Sequence, residues 1–311
     1  MANKLVLLTG ASGFLGNYLC AELERKNIST ISIGRSSNSS SQHIQCDLTV
    51  EAPRIPERPS KVIHCAGLAH VVPRTDTDKR KFTTINVDGT RNLLKGLLDS
   101  NAIPDLLVFV SSVAVYGLDS GRLIDENQPA KPNTPYGRSK LECEKLLTHW
   151  CEEHKVKLLI IRPPLILGKY AKGNLESLTN AIIKGYYVSI KNNKSCKSAI
   201  HAHDLSQFLV EADNIVGIFN ITDGNEISFI EVEQLYTEIV GKKILLNIPL
   251  SILKIAAFAG DLMLKVGMKF PITNDKLTKM TTTLTFSDKK LRETSEWNPK
   301  SAIARARDEI D

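Results

Sequence analysis

Short apolar runs alternate with longer amphipathic stretches through the first half of the chain. Residues 5–9, 30–33, 44–46, 62–65, 107–110 and 158–161 are rich in Leu, Ile and Val and read as buried strands. Between them, 14–26, 84–99 and 135–153 space their apolar residues as helices do. Strand–helix alternation of this kind predicts a parallel sheet covered on both faces. After Pro163-Pro164 the alternation fades, and helical stretches follow at 175–184, 204–213, 229–240 and 250–266. One more strand, 217–221, is expected to rejoin the first sheet. The predicted fold class is α/β: a doubly wound parallel sheet over 1–165 and a smaller, mostly helical C-terminal domain over 166–311, with part of 200–225 returning to the first. No internal repeat is visible, and Asn38-Ser39-Ser40-Ser41 reads as a surface loop.

The stretch 248–270 is apolar but carries Lys254, Asp261 and Lys265, which excludes a membrane span. Ile252, Ile255, Ala256, Phe258, Leu262 and Val266 fall on one helix face, which predicts a core or lid helix rather than a membrane-surface one.

The 311 residues are 42% hydrophobic, enough for a full core. Forty basic against 34 acidic residues give a net charge of +6, spread along the chain. The longest basic run, Lys79-Arg80-Lys81, reads as a solvated face, so no nucleic-acid partner is expected. The mild positive bias suits a small anionic substrate. Six scattered cysteines without a C-x-x-C pair argue against both a zinc site and a disulfide framework. They fit a reducing cytoplasm, and the apolar run at 4–8 is too short for a signal peptide.

The first strand runs straight into Gly10-Ala11-Ser12-Gly13-Phe14-Leu15-Gly16 and then a helix. Glycines let the backbone turn tightly beside a phosphate, and the helix N-terminus offers free N–H donors. This places a dinucleotide's diphosphate at Gly10, Ser12, Gly13, Phe14, Leu15 and Gly16. At the end of the second strand, NAD sites carry an acid for the ribose 2′-hydroxyl. Here Gly34 is followed by Arg35-Ser36, which favours a 2′-phosphate and hence NADP, with NAD as the alternative.

Tyr136 and Lys140 stand four residues apart, and Ser112 lies 24 residues before the tyrosine. On a helix, positions i and i+4 share a face. A cation beside a phenol favours the phenolate and lowers its pKa. With a serine hydroxyl holding the reacting oxygen, the set suits removing a proton from an alcohol or returning one to a ketone.

Together these motifs make the chain resemble an extended short-chain dehydrogenase/reductase of the NAD(P)-dependent nucleotide-sugar epimerase/dehydratase type. The resemblance covers nearly the whole chain and implies a Rossmann-type sheet with a C-terminal substrate-binding domain. Asp47-Leu48 resembles the pair that contacts adenine. Cys65, Ala66 and Gly67 resemble the segment flanking the cofactor, and Asn86-Val87-Asp88-Gly89-Thr90 the N-x-x-G-T helix. Val115-Tyr116-Gly117 follows Ser112 at the family's distance, and Pro163 ends the strand where main chain meets the nicotinamide. By this resemblance Tyr136 is the acid/base, Lys140 holds the ribose and acidifies Tyr136, and Ser112 bonds the sugar oxygen.

The resemblance also narrows the reaction. Dehydratases carry Asp-Glu after the catalytic hydroxyl residue; Val113-Ala114 stand there instead, so dehydration is not expected. A 4-ketoreductase of a UDP-sugar in surface-polysaccharide synthesis is the first expectation, on Arg35 and the Arg-Pro-Pro-Leu form. A UDP-hexose or UDP-N-acetylhexosamine 4-epimerase with tightly bound NAD is the alternative. A non-catalytic NADP-binding regulator and a steroid-type dehydrogenase stand further off. Asn174 and Leu175 resemble the substrate-diphosphate contact, with Lys197 or Lys194 in the place of an arginine. His201 and His203 read as packing or capping residues, not metal ligands, with Asp204 as a helix N-cap. The family's homodimer forms through the helices 84–99 and 135–153, where Leu93, Leu94, Leu97, Leu141 and Leu146 could face a partner or the core.

Overall fold

A computed structural model describes residues 4–36, 42–69, 71–169, 171, 173–244, 246–265, 268, 270 and 272–310, without the side chains of Asn174 and Lys265. The expected loop at Asn38 lies outside these residues. Strands β1 (Leu5–Thr9), β2 (Ser29–Gly34), β3 (Gln42–Gln45), β4 (Lys61–His64) and β5 (Leu106–Val110) come from the first third. Then follow β6 (Gly121–Ile124), β7 (Lys157–Arg162), β8 (Leu165–Leu167), β9 (Ser189–Ile190), β10 (Cys196–His201) and β11 (Gly217–Asn220). The last are β12 (Glu226–Ser228), β13 (Asn247–Ile248) and β14 (Leu284–Phe286).

The main sheet has seven strands in the order β11-β7-β5-β4-β1-β2-β3, all parallel. Along β1, alternate residues serve opposite cores. Val6 and Leu8 pack with Leu15, Leu19 and Leu209 on one face, while Leu5 and Leu7 pack with Leu93, Leu97 and Trp150 on the other. That is why a parallel-sheet strand reads as an unbroken apolar run. The chain leaves β1 for β2 on one side and reaches β4 on the other, so a topological switch point lies at the β1–β4 crevice.

A second sheet runs β12-β10-β14-β6, with β8 beside β10. The helix expected at 84–99 begins at Asp76, because Thr75 and Asp78 form a capping box there. It passes through a π-helical turn, Thr83–Asp88, into Gly89–Asp99. Leu93, Leu94 and Leu97 are buried in the chain's own core. Leu146 packs against that core, and Leu141 against Val115 and Tyr116. Leu93, Leu94 and Leu97 are thus core residues, and Leu141 and Leu146 are half-buried. Among the described residues, no helix is long and apolar enough to cross a membrane.

Candidate active site

The glycine loop closes onto its neighbours. Gly10 has φ +79°, and a Cβ there would lie 2.7 Å from the Ala66 nitrogen. A Cβ at Gly16 would run into the carbonyls of Gly10 and Ala11. The helix Phe14–Arg25 then starts at Gly13 with no side-chain cap and no acid in its first turn. Its N–H donors are thus left for an anion. Ser12 is exposed at the tip, whereas the side chain of Leu15 is buried, so Leu15 can offer only backbone. These residues fit a dinucleotide diphosphate.

The opposite wall follows β4. Asn86, on the π-helical turn, accepts from the Leu68 N–H at 2.5 Å and donates to the Leu68 carbonyl at 3.1 Å and to Ser139 Oγ at 2.8 Å. Ser139 Oγ in turn donates to the Tyr136 carbonyl. One amide thus joins the Gly67 loop to the helix Pro135–His154. Below it, His64 lies between Thr9 Oγ1 at 2.6 Å and Thr90 Oγ1 at 2.9 Å. Thr90 donates to the Asn86 carbonyl, so its oxygen is left to accept from His64 Nε2–H. Burial, and secondarily the charge of Lys140, push the His64 pKa down to about 3, so the ring is neutral.

At the adenosine end, Arg35 and Ser36 are exposed. Asp47 accepts from the N–H and hydroxyl of Thr49, which hold its carboxylate below the usual range, with the Arg35 charge adding to them. The Leu48 carbonyl is taken by Asn92 Nδ2 at 2.7 Å.

Ser112, Tyr136 and Lys140 meet where β5 ends. Ser112 is extended and caps a short 3₁₀ turn, Val113–Tyr116, accepting from the Ala114 N–H. Thr134 caps the helix Pro135–His154 by accepting from the Gly137 N–H, and Pro135 opens it. A Cβ at Gly137 would strike the Ala114 carbonyl, so glycine lets this helix lie against the 3₁₀ turn. That contact brings the Tyr136 phenol to Ser112. Burial pushes the phenol up to about 12, partly offset by the Ser112 hydrogen bond. Lys140 donates to the Val110 carbonyl at 2.8 Å and stands 4.7 Å over the Phe109 ring. Its own burial holds it below the usual lysine range. The expected acidification of Tyr136 by Lys140 is therefore absent in this geometry: the ammonium is drawn to Val110, and desolvation governs the phenol. The Pro163 carbonyl accepts from the Val113 N–H at 3.2 Å, closing the floor.

A glycine loop with an uncapped helix thus follows β1, and a Ser–Tyr–Lys set gathers where β5 ends, in one parallel sheet. Residues 6–210 match the sequence profile of the NAD dependent epimerase/dehydratase family. The chain belongs to that family. Among its relatives, an N-acetyl-alpha-D-glucosaminyl-diphospho-ditrans,octacis-undecaprenol 4-epimerase of Escherichia coli O157:H7 is 26% identical, over 93% of this chain and 89% of its own. A UDP-glucose 4-epimerase of Vibrio cholerae is 30% identical over 74% of each. The fold matches that of a Thermus thermophilus UDP-glucose 4-epimerase solved with NAD, at TM-score 0.72, 19% identity and 98% coverage of both chains.

The pocket of this epimerase/dehydratase-family chain stands on a buried polar network that its motifs did not reveal. Glu144 is paired with Arg162 through two contacts, at 2.6 and 2.9 Å, and accepts from Ser111 at 2.5 Å. Arg162 also stands 5.0 Å over the Tyr116 ring, whose hydroxyl donates to Asn220. The one sequence signal was position: Glu144 follows Lys140 by four residues, on the same helix face.

The substrate half departs from expectation in places. Asn174 and Leu175 begin the helix Asn174–Ile183, but Leu175 is buried in a separate core with Leu167, Ala199 and Leu235 and could meet a ligand only through its backbone. The Asn174 side chain lies outside the description. Lys197 donates to the Thr282 carbonyl at 2.7 Å, at the end of the helix Asn274–Thr281. In this structure Lys197 thus binds a helix terminus. The cap of the helix Ala202–Glu211 is His201, not Asp204: its ring accepts from the His203 N–H. Asp204 sits three places further on and accepts from Arg305 at 2.7 Å.

Proposed function

We propose that the chain works at C4 of a hexose linked through a diphosphate, as a 4-epimerase, with Ser112, Tyr136 and Lys140 as its catalytic residues. The observation that carries this reading is the Tyr136 phenol hydrogen-bonded to the Ser112 hydroxyl where β5 ends, in the same parallel sheet whose β1 leads into the uncapped helix Phe14–Arg25. A nicotinamide cofactor supplies, when bound, the site that takes and returns a hydride. Gly10, Ser12, Gly13, Phe14, Leu15 and Gly16 would hold its diphosphate, Asp47 and Leu48 its adenosine, and Cys65, Ala66, Gly67, Asn86 and Pro163 its remaining edge. Lys140 is placed to meet its ribose once it leaves the Val110 carbonyl.

Ser112 Oγ orients the C4 oxygen, and Tyr136 Oη takes the proton as C4 is oxidised. With the site as it stands, burial keeps the phenol protonated, at about 12. Only the phenolate can take the proton, a form the Lys140 ammonium would favour once it leaves the Val110 carbonyl. The phenol so formed returns that proton on reduction. Val113 and Ala114 carry no group able to take a proton from the sugar, so the set moves one proton at one oxygen. The two relatives named above share a hexose on a diphosphate and differ in its carrier, undecaprenol in one and uridine in the other.

A second reading, a 4-ketoreductase consuming NADPH, is favoured by the exposed Arg35 beside a strand end without an acid. The nucleotide that copurifies separates the two: retained NAD goes with epimerisation, an empty site preferring NADPH with reduction. Tyr136→Phe is expected to cut turnover of a UDP-N-acetylhexosamine at least about 100-fold while cofactor affinity holds. Undiminished turnover would remove Tyr136 from the chemistry.

A further inference from the structure

The helix Leu250–Lys265 turns only one side inward. Leu253 and Ala257 are buried against Leu277 and Ile190, and no Cβ fits at Gly260 beside the Ile272 carbonyl. The other side is open and apolar. Ile252 is 55% exposed, Ile255 73%, Phe258 71% and Leu262 59%. These positions recur every three to four residues and form one stripe. Seven of the seventeen large apolar side chains exposed among the described residues fall within 246–268, so the patch is concentrated rather than scattered. The expected core or lid helix is therefore half core and half bare surface.

The same region is basic. Residues 241–280 hold seven lysines and two aspartates, a net +5 in a chain whose total is +6. An apolar stripe within a lysine-rich segment matches a surface that is anionic outside and apolar just beneath. A second copy of the chain fits worse, because a two-fold contact would bring the two lysine-rich segments together.

We propose that the helix Leu250–Lys265 docks on an anionic phospholipid bilayer, lying in its plane with Ile252, Ile255, Phe258 and Leu262 among the headgroups. The helix Asn274–Thr281 packs against it through Leu277, and Lys197 is tied to the end of that same helix. The docked face thus belongs to the unit that carries the expected diphosphate residue. A sugar diphosphate on a lipid carrier would be met at this surface, and that clause alone rests on the function proposed above.

Co-sedimentation of the full chain with vesicles tests docking without reference to turnover. With phosphatidylcholine containing one quarter phosphatidylglycerol, the chain should pellet at low salt. On pure phosphatidylcholine, or in high salt, binding should be at least about tenfold weaker. The variant I255E/F258E should stay in the supernatant while its nicotinamide cofactor affinity is unchanged; Phe258→Ser offers the same readout should the double change not fold. Binding that ignores these substitutions would overturn the proposal, as would no binding to anionic vesicles. A dimer in sedimentation velocity that I255E/F258E dissolves would overturn it too, by assigning the face to a second copy. Failure to turn over any sugar diphosphate with vesicle binding intact would strike the proposed function instead.

Discussion

His64 shows what one buried ring contributes. It orders Thr9, Thr90 and, through Thr90, the Asn86 turn, and it does so as a neutral imidazole. Its folded pKa of about 3 lies below the ordinary 6.5, so acid protonates the unfolded chain first. Its contribution is therefore fully present above pH 6.5 and is lost as pH falls towards 3. The stability gap between the wild type and His64→Asn should narrow by about 1.4 kcal/mol per pH unit across that window. Urea titrations at pH 7, 5.5 and 4 measure it, and a constant gap would contradict a neutral ring. At this scale the sequence was readable where spacing speaks. Ser112, Tyr136, Lys140 and the glycine loop could be named from their separations. The state of the Tyr136 phenol could not, because desolvation and the Val110 carbonyl enter only once the helix is packed.

Among the elements, the helix Pro135–His154 depends on both its flanks. Gly137 allows it to approach the 3₁₀ turn, and Glu144 bolts it to β7 through Arg162. Both charges of that pair are buried. Glu144→Gln would leave the guanidinium without its counter-charge, at a cost of about 3–5 kcal/mol. Chemical denaturation should show that loss, and turnover should fall with it as Ser111 and its neighbour Ser112 shift. A change below about 1 kcal/mol would mean that water replaces the carboxylate. The long elements were legible because each carries several turns or a full apolar run. The strands β6, β8, β9, β12, β13 and β14 were not, being two to four residues long with no period to read, and β10 was not because Cys196-Lys197-Ser198 opens it without an apolar run. Their pairing is decided by partners far along the chain.

Across the whole molecule, the last helix, Ala302–Asp308, ties both halves together. Ala302, Ile303 and Ala306 pack into the core that holds Leu167, Leu175 and Leu235, and the Ala302 N–H donates to Asp223 at 2.7 Å. Just beyond the helix, Glu309 accepts from Tyr18 on the helix that begins at the glycine loop, and from the Lys169 N–H. Ending the chain at Ser301 should lower the melting temperature by about 5–10 °C, from lost apolar burial alone. Cofactor affinity should drop as well, since the Tyr18 hydroxyl loses its acceptor and keeps only the Lys169 N–H. Differential scanning fluorimetry with and without nucleotide reads both effects. A truncated chain that melts as the full one does would show the last helix to be dispensable.

The strand β6 branches off between the 3₁₀ turn and the helix Pro135–His154, yet it pairs with β14 from the far end of the chain, with Gly121 opposite Leu284. On the other flank, β11 leaves the second half to extend the first sheet beside β7. Each of these two sheets thus draws strands from both halves of the sequence. Cutting the chain after Pro164 would part β14 from β6 and β7 from β11, so neither piece could complete its sheet alone.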